Sequence, residues 1–228
     1  MQIDILTLFP KMFDSVLGES ILKRAQAKGA VKVHLHDLRD WTFDNHRSAD
    51  DKPFGGGPGM VMKVEPVYLA LKEIMQSSKG KAKVILLTPQ GRKLDQTLAK
   101  KIAKEKKLIL ICGHYEGVDE RVRGLADDEI SIGDYILTCG EIPAMALIDT
   151  VTRLIPGVLG SKDSTASESF EDGLLEYPQY TRPSDFKGMK VPEILLSGDH
   201  KKIDQWRKQE AVKRTKERRP DLVKKAMR

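Results

Sequence analysis

The sequence predicts an α/β domain built on a largely parallel sheet, and three observations support that prediction. Strand-like and helical patterns alternate from residue 1 to about residue 155, which is typical of parallel sheets. The strands are short apolar runs such as Leu108–Cys112, which indicate burial on both faces. Three Gly-containing turns, Thr88–Arg92, Gly113–Arg121 and Ser131–Gly140, follow apolar strand candidates.

The first elements are predicted to be a strand, a helix and a second strand. Ile3–Phe9 mixes apolar and short polar residues and ends before Pro10, as a strand would. Met12–Ala27 predicts a single helix that ends at Gly29. Its apolar face carries Phe13, Val16, Leu17, Ile21 and Leu22. Val31–Leu38 alternates apolar and polar residues and is predicted to be the second strand.

Two histidines of this second strand, His34 and His36, point to the same face because one residue separates them. A two-histidine metal site needs a third ligand, and the sequence around them offers none. We therefore predict two solvated strand histidines, and we assign no metal ligand in the chain.

Pro53–Met60 is a glycine-rich loop, with four glycines between residues 55 and 59. Such a composition excludes a helix or a central strand and allows either close approach to a ligand or a mobile lid. It is not a phosphate-binding P-loop, because no Gly-Lys-Ser/Thr follows it. A flexible linker is the alternative, which the apolar residues Phe54 and Met60 disfavour.

The remaining elements of the α/β region predict where the three turns lie. Helices are expected from Pro66, over Leu94–Lys104 and from Pro143, and a short buried strand over Val84–Leu87. The last helix has an apolar face formed by Leu147, Ile148, Val151, Leu154 and Ile155. Ligands of parallel sheets bind beyond the carboxyl ends of the strands. We therefore expect the three turns to meet there and to hold one small molecule.

The pattern changes after residue 160, and we predict three regions: 1–160 as the domain that binds the small molecule, 161–175 as a linker, and 176–228 as a basic helical domain. The linker is serine-rich and polar, and we expect it to become ordered on binding. Gly173–Arg182 is predicted to be a docking segment. A basic helix follows, with Ser197 or Asp199 as its N-cap, and Pro220 divides it.

Charge is concentrated at the C-terminal end of the chain. Residues 187–228 hold 14 Lys and Arg against 6 Asp and Glu, a net charge of +8, so residues 1–186 carry −2 of the total of +6. A solvated charged helix is one interpretation. The other is a module that binds a polyanion, and so concentrated an asymmetry favours nucleic acid.

Composition is that of a globular protein, with 40% hydrophobic and 32% charged residues. Cys112 and Cys139 lie in apolar settings and form neither a disulfide framework nor a metal motif, which favours a reducing compartment. The N-terminus has no signal-peptide pattern, and the apolar runs are too short to span a bilayer. We expect a cytoplasmic protein without membrane partners.

The three turns favour a particular kind of ligand. No Gly-x-Gly-x-x-Gly follows a strand, so a dinucleotide fingerprint is absent. The turns offer backbone polar groups, apolar side chains and one lone carboxylate, Glu116. This inventory suits an adenosine-like molecule with a cationic or zwitterionic tail better than a triphosphate.

Six motifs in order resemble the bacterial tRNA (guanine-N1)-methyltransferases of the SPOUT superfamily, over nearly the whole chain. They are Gly-Gly-Gly-Pro-Gly-Met (55–60), Pro-Gln-Gly-Arg (89–92), Tyr-Glu-Gly-Val-Asp-Glu-Arg (115–121), Ser-Ile-Gly-Asp-Tyr-Ile-Leu-Thr-Cys-Gly-Glu (131–141), Arg-Leu-Ile-Pro-Gly-Val-Leu-Gly (153–160) and Pro-Gln-Tyr-Thr-Arg-Pro (178–183).

The resemblance implies a deep C-terminal trefoil knot, an exception to the usual rule against threading. It also implies a homodimer with a shared active site, magnesium dependence, and methylation of N1 of the guanine immediately 3′ of the tRNA anticodon. S-adenosylmethionine is the implied methyl donor. Its implied pocket comprises Leu86, Leu87, Thr88, Pro89, Gly113, Tyr115, Glu116, Ser131, Ile132, Gly133, Tyr135, Leu137, Gly140 and Pro143.

Two catalytic residues follow from the resemblance. Guanine N1 carries a proton that a general base must remove, and Glu168 stands where the family has an aspartate. Asp163 and Asp172 are alternatives for this role. Arg153 stands where the family has the cation that stabilises the negative charge at O6. Cys139 replaces a usual glycine beside the methionine end of the pocket.

Two other functions compete with methyl transfer. One is a non-catalytic RNA-binding module that keeps the core as a scaffold. The other is a nucleotide-using enzyme such as a kinase, which the missing phosphate loop disfavours.

Overall fold

The computed structural model describes residues 1–77, 80–160 and 168–226 of the chain. The chain divides into two compact units, an N-terminal unit of Met1–Leu159 and a C-terminal unit of Gly160–Arg228. The predicted linker falls partly on residues 161–167, which lie outside the described residues.

The N-terminal unit is built on a five-stranded sheet in the order β2-β1-β6-β5-β7, and all four strand pairs are parallel. The predicted α/β class with a parallel sheet is confirmed. The strands are β1 (Gln2–Thr7), β2 (Lys32–Asp37), β5 (Lys83–Lys93), β6 (Lys107–Cys112) and β7 (Asp128–Ser131). A small antiparallel pair, β3 (Asp50–Asp51) and β4 (Val61–Met62), frames the glycine-rich loop.

Both faces of the sheet are covered, which explains the continuous apolar strands. Along the central strand β6, Leu108, Leu110 and Cys112 enter one core, and Ile109 and Ile111 enter the other. The described helices of this unit are α1 (Asp14–Leu17), α2 (Ser20–Ala27), α3 (Val64–Ser77), α4 (Gln96–Ile102) and α5 (Glu141–Thr152). Helices α2, α4 and α5 pack on the first core, and α3 packs on the second.

The single helix expected over Met12–Ala27 is wrong, because the chain forms a 3-10 turn at Pro10–Phe13 and then two α-helices. Helix α1 ends where the Gly18 amide donates to the Asp14 carbonyl oxygen. A Cβ atom at Gly18 would lie 2.7 Å from that oxygen. The apolar spacing continues across this break, so periodicity alone predicted one helix.

The turn expected over Thr88–Arg92 is also wrong, because β5 continues as extended chain through to Lys93. Its pairing with β7 stops at Leu87 and resumes at Arg92, with a register shift between them. Gly91 approaches β7 so closely that a Cβ atom there would lie 2.4 Å from the Ile130 nitrogen. The segment between Leu87 and Arg92 thus leaves the ladder without ending the strand.

The C-terminal unit contains α6 (His200–Arg218), α7 (Pro220–Ala226) and a short hairpin of β8 (Asp185–Phe186) and β9 (Met189–Lys190). Asp199 caps α6 by accepting a hydrogen bond from the Lys202 amide at 3.2 Å, as one of the two expected N-caps. Pro220 begins α7, which confirms the predicted division of the basic helix. The hairpin was not predicted.

The predicted docking segment lies against α6. The Tyr180 and Trp206 rings are 6.5 Å apart between centroids, and the Arg207 guanidinium carbon lies 5.0 Å from the Tyr177 ring centroid. These contacts tie the segment to one face of the helix within the C-terminal unit.

Among residues 1–77, 80–160 and 168–226, every helix is too short or too polar to cross a bilayer.

Candidate active site

The three segments of the candidate site belong to neighbouring strands: two follow β6 and β7, and the third is the part of β5 after Leu87. Strands β6, β5 and β7 lie side by side in the sheet, so the segments after Cys112, Leu87 and Ser131 leave the same edge. Between them is a cavity of about 410 Å³, within the usual range for small-molecule pockets. The loops that the sequence analysis grouped are thus brought together.

All fourteen residues of the implied pocket line this cavity: Leu86, Leu87, Thr88, Pro89, Gly113, Tyr115, Glu116, Ser131, Ile132, Gly133, Tyr135, Leu137, Gly140 and Pro143. The sequence analysis did not assign ten further residues of its wall: Gln90, His114, Gly117, Val118, Glu120, Arg123, Ile130, Ile136, Thr138 and Cys139. Most of these are sequence neighbours of assigned residues, so the continuity of each loop is the signal that could have found them.

The second and third loops are joined by backbone contacts. The Gly140 amide donates to the Gly113 carbonyl oxygen at 2.7 Å, and His114 and Cys139 form an antiparallel bridge. A Cβ atom at Gly140 would lie 2.6 Å from the Gly113 nitrogen, whereas one at Gly113 would make only ordinary contacts. Cys139, the departure from the family pattern, is therefore held beside a histidine that lies far away in the sequence.

Helix α5 begins at this junction with Glu141, which is fully buried. The Thr7 hydroxyl donates to Glu141 Oε1 at 2.5 Å and accepts from the Phe9 amide. Within the part of the chain that the structure describes, Glu141 Oε2 and His114 Nδ1 are buried without a hydrogen-bond partner. Burial, followed by the nearby Glu141 carboxylate, raises the pKa of Cys112 well above its ordinary value.

The glycine-rich loop is anchored to the second loop. The Glu116 amide donates to the Met60 carbonyl oxygen at 3.1 Å, and the Met62 amide donates to the Gly117 carbonyl oxygen at 3.0 Å. Gly59 has a φ of +79°, and a Cβ atom there would lie 2.5 Å from the Glu116 side chain. Glycine thus allows the close approach that fixes Glu116, so a flexible linker is wrong for this end of the loop.

Tyr115 lies in the same loop with a φ of +57°, a conformation that non-glycine residues seldom adopt outside functional or strained sites. Burial raises the pKa of Tyr115, and the Asp50 carboxylate raises it further, while Arg39 opposes the shift. The phenol therefore stays protonated near neutral pH.

Glu116 is not the lone carboxylate of the site, because Glu120 and the cation Arg123 also line the cavity. Arg123 donates to Glu120 Oε2 at 2.9 Å and to the Glu129 carboxylate, and its second terminal nitrogen donates to Gln90 Oε1 at 2.8 Å. Burial lowers the pKa of Arg123, but the two carboxylates outweigh burial and raise it. The guanidinium is thus neutralised within the wall, which leaves a net acidic cavity.

Arg153 is remote from the cavity of its own chain. It caps the C-terminal end of α5, whereas Pro143, at the other end, lines the cavity. At a helix rise of about 1.5 Å per residue, the ten residue steps from Pro143 to Arg153 span about 15 Å. The two predicted sites thus lie at opposite ends of one helix.

Glu168 belongs to the C-terminal unit. Its carbonyl oxygen accepts from the Glu171 amide at 3.2 Å, in a turn closed by the Phe170 amide on the Leu174 carbonyl oxygen. The turn joins α6 where the Leu175 amide donates to Thr215 Oγ1 at 2.8 Å. Of the alternative bases, Asp172 is exposed in this turn and Asp163 lies outside the described residues.

The fold and the cavity define a class: an α/β protein with a cavity of small-molecule size at the carboxyl edge of a parallel sheet. Comparison with known proteins narrows that class. Residues 1–225 match the family model described as tRNA (Guanine-1)-methyltransferase TrmD, and the chain belongs to this family. The resemblance drawn from the six motifs is thereby confirmed, as is the enzyme class it implied.

Curated relatives from several bacteria are similar along nearly their whole length. The tRNA (guanine-N(1)-)-methyltransferase of Geobacillus kaustophilus (strain HTA426) is 58% identical over 224 residues, covering 98% of this chain and 91% of its own. The protein of that name from Carboxydothermus hydrogenoformans is 59% identical over 225 residues, covering 98% and 88%. The one from Geobacter sp. (strain M21) is 57% identical, covering 98% and 90%.

Proposed function

We propose that the chain transfers a methyl group from S-adenosylmethionine to N1 of the guanine immediately 3′ of the anticodon in tRNA. The observation that carries this proposal is the single cavity lined by all fourteen residues assigned to the methyl donor. Family membership supplies the reaction class.

The residues of the cavity fit S-adenosylmethionine. Leu86, Leu87 and Leu137 offer apolar contacts to an adenine ring, and the loop backbones offer hydrogen bonds to its edge. Glu116 and Glu120 supply negative charge for the sulfonium and amino groups. Gly113 leaves room in the wall, because a Cβ atom there would meet Val118 Cγ1 at 3.5 Å and Leu87 O at 3.7 Å.

The bound donor supplies an electrophilic methyl group, so the chain must position the guanine and remove its N1 proton. We assign proton removal to Glu168, whose carboxylate would accept the proton as the methyl group arrives. We assign stabilisation of the negative charge that develops on guanine O6 to Arg153, since a guanidinium can donate hydrogen bonds to that oxygen. Arg153 does not line the cavity of the same chain.

The position of Arg153 favours a site built from two copies of the chain. One α-helix separates it from the cavity of its own chain by about 15 Å, more than an arginine side chain spans. A homodimer, as the resemblance implies, would place the Arg153 of one copy at the cavity of the other. We propose the trefoil knot on the same grounds of family membership.

The basic C-terminal unit is proposed to hold the tRNA. Lys and Arg side chains neutralise phosphates, and this sequence-independent contact dominates affinity for nucleic acid. Magnesium is proposed as a requirement of the reaction. A tRNA substrate also fits a cytoplasmic location.

Methylation of unmodified tRNA tests the proposal, with mass-spectrometric mapping of the product base. We expect 1-methylguanine at the position 3′ of the anticodon. The Glu168→Gln protein should lose at least about 100-fold in single-turnover rate, the usual scale of general-base catalysis. Its affinity for S-adenosylmethionine should be unchanged, because the substitution removes a base and no part of the cavity wall.

Asp172→Asn is the matched control, since Asp172 is an exposed carboxylate of the same turn. It should leave the rate unchanged, and Asp163→Asn is tested beside it. A Glu168→Gln protein as fast as the parent would move the role to another residue. Binding of tRNA without any methylated product and without calorimetric binding of S-adenosylmethionine would instead favour a non-catalytic RNA-binding module.

A further inference from the structure

The Asp4 carboxylate, on strand β1, faces the two histidines of the edge strand β2. Asp4 and His34 are register partners, and His36 lies two residues further along the same face. Asp4 Oδ1 lies 3.2 Å from His34 Nδ1 and 2.9 Å from His36 Nε2. His34 is exposed and His36 is half-buried, as expected of solvated strand histidines, but strand pairing supplies the third candidate ligand that the sequence around them lacked.

We propose that Asp4, His34 and His36 bind one divalent transition-metal ion of the zinc type. Their ligand atoms all lie within 4.8 Å of one another. Zinc bonds of 2.0–2.2 Å in tetrahedral geometry put neighbouring ligand atoms about 3.3 Å apart. The two oxygen–nitrogen distances match that spacing, and both imidazoles are partly exposed and can turn to bring their nitrogens closer.

The carboxylate is held as a metal ligand should be. Its other oxygen, Oδ2, accepts from Gln2 Nε2 at 2.8 Å and lies 3.5 Å from Lys107 Nζ. Partners of this kind orient a ligating carboxylate and leave one oxygen for the metal.

The ligand set selects the class of metal. Two imidazoles and one carboxylate suit zinc, nickel, cobalt or copper, whereas magnesium and calcium prefer oxygen ligands. The His34 side chain is 48% exposed, so water can complete the coordination sphere. None of the three residues lines the cavity, and the cluster joins the first strand to the edge strand.

A metal at this position would act as a clamp between β1 and the edge strand β2. Binding to the folded chain alone stabilises the fold in proportion to the logarithm of metal concentration over its dissociation constant. The metal also competes with protons for the imidazole nitrogens, so binding weakens as the pH falls. The nearby Lys107 ammonium group reduces the affinity without blocking Oδ1.

Titration of the untagged, metal-free full chain with Co²⁺ tests the proposal by visible absorption, with Zn²⁺ as a competitor. We expect one equivalent of Co²⁺ at pH 7.5, displaced by Zn²⁺, and a higher Tm with Zn²⁺. His34→Gln and His36→Gln should each weaken binding by more than about tenfold, the lower scale for losing even an indirect partner of a metal.

The matched controls are His46→Gln and His200→Gln, which replace histidines outside the cluster and should bind as the parent does. Both test variants alter partly exposed side chains, so thermal unfolding without metal confirms that they fold. Binding that is lost equally in the controls would overturn the proposal. So would a sulfur-to-cobalt charge-transfer band, which would assign the metal to Cys112 or Cys139, and so would the absence of binding at millimolar metal.

Discussion

At the scale of single residues, two glycines of the cavity wall differ in what a methyl group would meet. A Cβ atom at Gly140 would lie 2.6 Å from the Gly113 nitrogen and 2.8 Å from the Cys112 Cα atom. These are backbone atoms that cannot move aside cheaply. At Gly113 the same atom would make contacts of 3.5 Å or more. The first glycine is therefore required by the fold, whereas we propose that the second leaves room for the ligand.

We therefore expect opposite outcomes for alanine at the two positions. Gly140→Ala should lose about 1–3 kcal/mol of unfolding free energy, the usual cost of overpacking. Gly113→Ala should keep the parent's stability to within about 0.5 kcal/mol. Its affinity for S-adenosylmethionine should nevertheless fall about tenfold or more, as for one misplaced methylene in a binding site.

Urea unfolding and isothermal titration calorimetry measure the two effects separately. Unchanged donor affinity in Gly113→Ala would remove this residue from the binding wall. If Gly140→Ala is as stable as the parent, the loops that meet at Gly113 and Gly140 can move apart without a loss of unfolding free energy.

At the scale of the elements, Thr215 fixes the segment that carries Glu168. Its side chain is fully buried, accepts from the Leu175 amide at 2.8 Å and donates to the Ala211 carbonyl oxygen at 2.6 Å. Thr215→Val should cost about 1–3 kcal/mol, because it leaves the partly buried Leu175 amide without its acceptor. Thr215→Ser retains the hydroxyl and is the control.

The same substitution tests whether the turn positions the proposed base. We expect Thr215→Val to lower kcat for methyl transfer while leaving the affinity for S-adenosylmethionine unchanged, and Thr215→Ser to restore kcat. Single-turnover assays at a temperature where both variants are folded make the comparison. If Thr215→Val keeps the parent's kcat, this hydrogen bond has no role in catalysis.

The elements could be predicted where periodicity decides them, and not where backbone contacts do. The buried strands and the division at Pro220 followed from local pattern. The break at Gly18 depends on one carbonyl oxygen, and the length of β5 depends on its pairing with β7 on both sides of a register shift. Strand β7 itself has four residues, two of them acidic, so no alternation marked its bounds.

The candidate site, too, could be predicted from the sequence pattern only in part. The loops could be grouped because carboxyl ends of parallel strands share an edge, and the strand order β6-β5-β7 makes them neighbours. The local sequence could not predict which side chains face one another across strands. Asp4 meets His34 and His36, and His114 meets Cys139, only because pairing joins residues about 25 to 32 positions apart.

At the scale of the whole molecule, the charges proposed to hold tRNA lie apart from the cavity residues in the sequence. The C-terminal residues 187–228 carry +8 and the rest carries −2. Binding of tRNA should therefore depend steeply on salt, while binding of S-adenosylmethionine should depend on it little. Arg219 is already paired with Asp221 at 2.7 and 2.8 Å, so its neighbours on α6 are the better candidates for phosphate contacts.

Replacing Lys213, Arg214 and Arg218 together by glutamine should weaken tRNA binding and flatten its salt dependence. Each lost phosphate contact reduces the slope of log K against log salt by about 0.7–0.9. Filter binding or fluorescence anisotropy would measure this slope at salt concentrations between about 50 and 300 mM.

A triple variant of the N-terminal unit, Lys23, Lys101 and Lys104 to glutamine, changes the net charge by the same amount and is the control. It should leave the slope close to that of the parent. If the C-terminal variant and the parent have equal salt slopes, the basic helix is a solvated surface that makes no phosphate contacts.

The close backbone contacts at Gly91 and Gly140 restrict the substitutions that genes of this family can accumulate. Every single-base change in a glycine codon that alters the amino acid adds a Cβ atom or ends the chain, and at these two positions that atom would meet backbone. Selection for folding alone would keep both glycines, even in a descendant that no longer methylates anything. Retention of Gly113, where a methyl group fits, would report on the ligand instead.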